Sequence, residues 1–219
     1  VGRWFVALGV LMVGTAVSAQ EFPRYVLRAG KADRDGNPFD ALSSAKLCVV
    51  APAKRCFTLP AEHDKEFTNY FYMDPKAIKT ISASGEELVL FDAHTMGGSG
   101  YAYEYALLRY SNHKLTNLLP VIRVSNISDR ALWNVPEISP LPIFLTADFL
   151  WEDGAHYGDH RYTVRAYRYD TATAKYIQIV SYETVRTYPS AEWPGMVHVL
   201  KAERGPIEGL LRRGRVAKR

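Results

Sequence analysis

A chain of 219 residues has room for one sizeable domain or two small ones, and its two cysteines match no zinc-ligand spacing. The formal charge of +4 is unevenly placed: residues 201–219 carry a net +5 and residues 1–19 a net +1, which leaves −2 on residues 20–200. A slightly acidic body argues against a nucleic-acid-binding domain, which would need cations clustered on its folded surface.

The first element reads as an export signal. Arg3 precedes an apolar run from Trp4 to Val13, and small residues close the segment at Val17, Ser18 and Ala19, the order a signal peptidase reads. The run is shorter than the roughly 20 apolar residues of a spanning helix, so no membrane span is expected. Cleavage near Ala19 would release the mature chain to the periplasm or the exterior. Val1 fits a GTG start codon translated literally, and hence a bacterial source.

Beyond the signal, aromatic and β-branched residues cluster in short runs separated by Gly, Asn, Asp and Pro. The expectation is a mainly β fold: antiparallel meanders in a sandwich, barrel or propeller-like arrangement, with a short C-terminal helix. Residues 20–200 are expected to form a single β-rich domain, followed by a basic tail over 201–219. The segment Asp33, Arg34, Asp35, Gly36, Asn37 reads as a turn, since its glycine comes too early for a calcium loop and Ser44 stands where that loop needs an acid. Residues 46–50 and 56–59 form a first hairpin turning near Pro52, which sets Cys48 opposite Cys56; in an oxidising compartment the two should pair. Residues 77–82 and 87–93 form a second hairpin about Ser84 and Gly85.

A weak repeat follows. Tyr103, Arg109 and Tyr110 recur 59 residues later as Tyr162, Arg168 and Tyr169, each set preceded by an apolar strand, 88–93 or 143–151, and a glycine-containing loop. The period suggests propeller-type blades, or two halves of a sandwich or barrel. Ile143, Leu145, Ala147, Phe149 and Trp151 should share one face, with Thr146 and Asp148 on the other. Tyr101, Tyr103, Tyr105 and Leu107 likewise line one side, either as core or as a stacking surface. Residues 125–142 read as a connector anchored by Ile127, Leu132 and Trp133. After Pro189, residues 196–204 read as a short helix stopped by Gly205 and Pro206, with 207–213 a further helical turn. The terminal cations read as a solvated tail or as a weak contact with an anionic surface.

Two loops carry candidate chemistry. Between confident strands, Glu152, Asp153, His156, Asp159 and His160 gather two imidazoles and three carboxylates, donors suited to a divalent metal or to acid–base work; His156, Asp159 and His160 are the candidate ligands. The i, i+4 spacing of the two histidines is that of a helical zinc motif, but Gly158 and the flanking strands oppose a helix. The second loop, Asp92 to Gly100, holds His94 and Ser99, yet lacks the strand-to-helix elbow of a serine hydrolase. Both loops precede matching strands of the repeat, so they could share one end of the fold.

Ser99, Gly100, Tyr101, Ala102 and Tyr103 fit the pattern S-G-x-x-Y and resemble the loop motif of the periplasmic inhibitors of c-type lysozyme. That resemblance implies that Ser99 and Tyr103 enter an enzyme cleft, so His94, Ser99 and Tyr103 are the candidate binding residues. Residues 88–189 resemble exported bacterial proteins without an assigned activity. The leading expectation is a non-enzymatic binding or interaction module for a protein or small ligand. The alternatives are a metal-dependent hydrolase built on His156, His160 and Asp153 or Asp159, with His94 in reach, and an inhibitor-like periplasmic protein.

Overall fold

The computed structural model describes residues 24–28, 30–31, 43–51, 54–63, 68–69, 71–72, 79–83, 85–95, 102–153, 158–189 and 198–216. The signal segment, the Asp33–Asn37 turn, Ser99, Tyr101 and His156 lie outside these residues. The strands are β1 Arg24–Arg28, β2 Lys46–Ala51, β3 Arg55–Thr58, β4 Glu62–His63, β5 Thr68–Asn69, β6 Phe71–Tyr72, β7 Lys79–Ala83, β8 Glu86–Thr95 and β9 Ala102–Ser111. They continue as β10 Lys114–Asn117, β11 Arg123–Ser125, β12 Ser128–Trp133, β13 Ile143–Phe149, β14 Asp159–His160, β15 Tyr162–Asp170, β16 Lys175–Glu183 and β17 Tyr188–Pro189. Two helices follow, α1 Val199–Ala202 and α2 Arg204–Val216.

Local chemistry sets the hairpins. In the first, Cys48 faces Cys56 across β2 and β3, and the two are disulfide-bonded. Gly85, at φ 77°, makes the turn from β7 to β8, a backbone setting that a side chain disfavours. Asn112 and His113, both at positive φ, form a two-residue turn from β9 to β10 whose twist matches the flanking strands. The turn from β15 to β16 is longer, and the Asp170 carboxylate holds it by accepting from the Thr173 amide at 3.2 Å and hydroxyl at 2.8 Å.

Three antiparallel sheets stack face to face. The first is β1-β2-β3. The central sheet runs β10-β9-β8-β6, with β11 also on β9 and β7 also on β8; the third is β12-β13-β15-β16. Leu47, Leu59, Val89, Phe91 and Leu108 fill the layer between the first and central sheets. Leu88, Leu90, Tyr105, Leu107, Phe144, Tyr167 and Tyr176 fill the layer between the central and third sheets. The far face of the third sheet, with Ile143, Leu145, Ala147, Phe149 and Val164, is covered by Val199, Leu200, Ile207 and Leu211 of the helices. The mainly β expectation holds, with antiparallel sheets and a short C-terminal helical segment; among the described residues the strands close no barrel. No described helix is long and apolar enough to cross a membrane.

The strands of the two candidate repeat units pair in a similar way. Val89 faces Leu108 and His94 faces Tyr103 in the central sheet, while Phe144 faces Tyr167 and Phe149 faces Tyr162 in the third. Moving β9 by 59 residues superposes its end, Ser111, on the end of β15, Asp170. The two units are therefore two meanders laid against each other.

Three details differ from the sequence reading. The connector 125–142 contains β12, the edge strand of the third sheet, because Asp129 and Arg130 find partners on either side of it. Trp151 leaves the strand face: β13 ends at Phe149, and Trp151 sits 52% exposed in a 3-10 turn, its ring 4.4 Å from that of Phe149. Gly205 and Pro206 open α2 instead of stopping α1. Proline is tolerated there because first-turn amides have no partner within the helix. The two helices join at Glu203. Its buried carboxylate accepts hydrogen bonds from the hydroxyls of Tyr182, at 3.0 Å, and Tyr188.

Candidate functional site

The layer between the central and third sheets changes character along its length. Near the β9–β10 and β15–β16 turns it is apolar and aromatic. Toward the ends of β8 and β13 it becomes polar, because Asp92 and His94 continue the face of Leu88 and Leu90, while Thr146 and Asp148 continue the face of Phe144. On the neighbouring strands, Arg130 and Arg165 flank Thr146, and Ser128 and Thr163 flank Asp148.

These groups engage one another across the gap. Arg130 of β12 forms an ion pair with Asp92 of β8, and its guanidinium carbon lies 5.5 Å from the centroid of the Tyr105 ring. The Asp92 side chain is 3% exposed and that of Arg130 40%, so the carboxylate is the buried partner and the cation reaches outward. Breaking such a pair would leave the acid desolvated and uncompensated. The Tyr105 hydroxyl stands 3.5 Å from Ser128 Oγ. Burial raises the Tyr105 pKa, and Arg130 opposes the shift. Asp148 Oδ1 accepts from the Ser125 amide at 2.9 Å and the Ser125 hydroxyl at 2.6 Å, tying β13 to β11. Its pKa is nevertheless raised, because burial outweighs those bonds.

His94 and Tyr103 close this end. They are paired across β8 and β9, with ring centroids 5.7 Å apart, and Tyr103 stacks on Tyr105 at 6.3 Å. The Nδ1–H of His94 donates to the Thr95 carbonyl at 3.0 Å, and Thr95 Oγ1 accepts from the Ala102 amide at 3.1 Å. Tyr103 is thus a half-buried member of an aromatic row on a strand. On the opposite face of β9, Glu104 pairs with Arg123 at 3.0 Å, and burial raises its pKa.

The other candidate residues lie elsewhere. His160 is fully buried, its ring 4.7 Å from that of Phe149 on the helix-covered face of the third sheet, and its Nδ1–H donates to the Leu150 carbonyl at 2.9 Å. Asp159 is exposed at the start of β14. The third sheet separates His160 from His94, so the two imidazoles do not meet. Among the described residues no group of three His, Cys, Asp or Glu side chains could hold a metal ion. Arg130 and Arg165 were not singled out from the sequence; the signal that could have found them is the Thr146/Asp148 alternation, which marks a polar stretch on a buried face.

Comparison with protein families, curated proteins and solved structures finds no match. The chemistry of this end of the sandwich therefore has to be read from its own side chains. It combines an outward-reaching guanidinium, a buried carboxylate, an imidazole and stacked phenols. Such a set offers donors, acceptors and ring faces together.

Proposed function

We propose that the protein is an exported, non-enzymatic binding module, cleaved near Ala19, whose recognition surface is the polar end of the layer between its central and third sheets. The observation that carries this reading is the Arg130–Asp92 ion pair over the Tyr105 ring. A buried acid holds an arginine fork at the surface, beside the His94–Tyr103 pair, and this preorganises it for a partner's acceptors. Each of these groups is fixed by a neighbour, as suits recognition.

The test is a thermal-stability screen of the mature chain against soluble peptides and cell-envelope polysaccharides, with hits repeated on Arg130→Lys and Tyr103→Ala. Hits that bind the parent and weaken at least ~10-fold in both variants support the reading, about the effect of one lost charge-assisted hydrogen bond. Hits that bind all three proteins equally, or that are chemically turned over, overturn it.

A second partner follows from α2. With Ile207 and Leu211 buried against the third sheet, Lys201, Arg204, Arg212 and Arg213 are left exposed, and Glu208 is engaged with Arg204 at 2.7 Å and Arg212 at 3.7 Å. This face suits a weak contact with an anionic surface. Salt-sensitive binding to phosphatidylglycerol vesicles, lost on joint Arg212→Glu and Arg213→Glu substitution, would support the contact. Equal binding to neutral vesicles would end it.

A further inference from the structure

The first sheet carries charge of one sign. Residues 24–31 and 43–60 contain six cations, Arg24, Arg28, Lys31, Lys46, Lys54 and Arg55, and no acid. Residues 20–200 carry −2 in total, which leaves −8 outside these two segments. Arg28, Lys31, Lys46, Lys54 and Arg55 are exposed. Arg28 stands directly opposite Lys46 across β1 and β2, where like charges repel. The surface potential here is therefore positive and attracts anions.

The disulfide lies inside this field. Side chains alternate, so Lys46, Cys48, Cys56 and Thr58 share one face of the sheet while Leu47 and Phe57 pack inward. The two sulfurs differ in access: Cys48 is 2% exposed, whereas Cys56 is exposed. Among the described residues β3 is an edge strand, and β2 lies between β1 and β3.

That order decides which sulfur a thiolate can attack. The attacker approaches along the S–S axis, from the side opposite the sulfur that leaves. Approach to Cys56 comes from beyond the sheet edge, past Lys54 and Arg55, whose Nη1 donates to the Lys54 carbonyl at 3.0 Å. Approach to Cys48 would have to cross β1, where Val26 stands opposite it. Exposed disulfides are the ones that exchange readily.

We propose that Cys56 is a thiol-exchange site for small anionic thiols of the glutathione type, attracted by the cationic edge of the first sheet. The incoming thiolate bonds to Cys56 Sγ as the Cys48–Cys56 bond breaks, and the bonding pair leaves with Cys48 Sγ as a thiolate, on the face it shares with Lys46. A second thiol then removes the first from Cys56 as a small-molecule disulfide, so two thiols are oxidised and two cysteines are reduced. The site is separate from the Arg130 surface and from α2, and its failure leaves both of those readings standing.

The experiment treats the full chain, without denaturant and at mildly alkaline pH, with glutathione, mercaptoethanol and cysteamine, which are anionic, neutral and cationic in turn. Adducts are trapped by alkylation and located by peptide mass mapping, and rates are compared per thiolate. Glutathione should react about 10-fold faster than cysteamine at low ionic strength and within about 2-fold of it in about 1 M salt, where exposed charges are screened. The rate should rise in proportion to thiol concentration, with the first adduct on Cys56. Joint Lys54→Glu and Arg55→Glu substitution should reverse the order of glutathione and cysteamine, while joint Arg212→Glu and Arg213→Glu substitution should leave it unchanged. The proposal is overturned by a first adduct on Cys48, by equal rates for the three thiols at low ionic strength, or by an unchanged order in the Lys54 and Arg55 variant. A rate that stops rising with thiol concentration would also overturn it, because the chain would then have to open before the disulfide reacts. The parent measurements decide the matter on their own, whether or not that variant folds.

Discussion

Arg109 on β9 donates from Nη1 to the hydroxyl of Tyr169 on β15 at 2.9 Å, and its guanidinium carbon stands 5.0 Å from the centroid of the same ring. Tyr169 stands 59 residues on from Tyr110, the chain neighbour of Arg109, so β9 and β15 meet near their C-terminal ends. Arg109 Nε also lies 2.7 Å from Glu86 Oε2, without hydrogen-bond geometry.

This contact should be measurable as a coupling. Tyr169→Phe and Arg109→Met should each cost about 1–2 kcal/mol, and the double variant less than their sum by about 1 kcal/mol, in guanidinium unfolding. Additive losses would mean that the two side chains act separately.

The disulfide should stabilise the chain by constraining its unfolded state. Its eight-residue separation predicts a loss of about 2–3 kcal/mol on joint Cys48→Ala and Cys56→Ala substitution, seen as a lower denaturant midpoint at an almost unchanged slope. Reductant should lower the parent midpoint similarly and leave the double variant unmoved.

The hairpins and the disulfide were legible in the sequence because they depend on local signals: Gly85 at a positive-φ turn, and cysteines placed symmetrically about a turn. The stacking of three sheets was harder to read. Strands β8, β9 and β13 are buried on both faces, so Leu88 to Ala93 shows a continuous apolar run broken only by Asp92, in place of alternation. The strand β12 was hidden by its charges, since Asp129 and Arg130 look like surface residues until Leu200 and Asp92 are brought to them by distant parts of the chain. The candidate site was half legible for the same reason. His94 and Tyr103 stood out individually, but only tertiary contact places Asp92, Arg130 and Asp148 beside them.

The helical segment should depend on Glu203. Its carboxylate is buried where α1 meets α2 and accepts from two tyrosines of the third-sheet side, with Arg186 at 3.7 Å. Glu203→Ala leaves both hydroxyls without their acceptor and should cost about 2–4 kcal/mol. Hydrogen exchange should localise the loss: amides of Val199, Leu200, Ile207 and Leu211 should lose protection while those of β8 and β9 keep theirs. Uniform loss across the chain would show that the helices are not a separable unit.

Asp148 makes a pH-dependent contribution whose sign follows from its environment. Burial raises its folded-state pKa above the unfolded value, so the folded state holds its proton more tightly. The stability it provides is fully present below the unfolded pKa, near 4, and is lost as pH rises through the folded value. Parent stability minus that of Asp148→Asn should therefore increase as pH falls from 7 toward 4. The Asn variant keeps an acceptor for Ser125 and should differ from the parent by only about 1 kcal/mol at neutral pH. A difference that shrinks on acidification would mean that the hydrogen bonds from Ser125 outweigh burial.

His160 distinguishes a structural imidazole from a metal ligand. Its ring is wholly buried against Phe149, and its Nδ1–H occupies the Leu150 carbonyl, while the Leu150 amide donates to the Arg161 carbonyl at 2.9 Å. Removing the ring empties a packed position and orphans a buried acceptor, so His160→Ala should lower stability by about 2–4 kcal/mol. That loss should be the same with a chelator present and with added zinc, since it includes packing against Phe149 and the hydrogen bond to the Leu150 carbonyl, neither of which needs a metal. His156→Ala tests the same loop, and its unfolding should likewise ignore zinc. A midpoint that rises with zinc in the parent and not in either variant would instead make the loop a metal site, because only a group that binds the folded state can shift its stability by mass action.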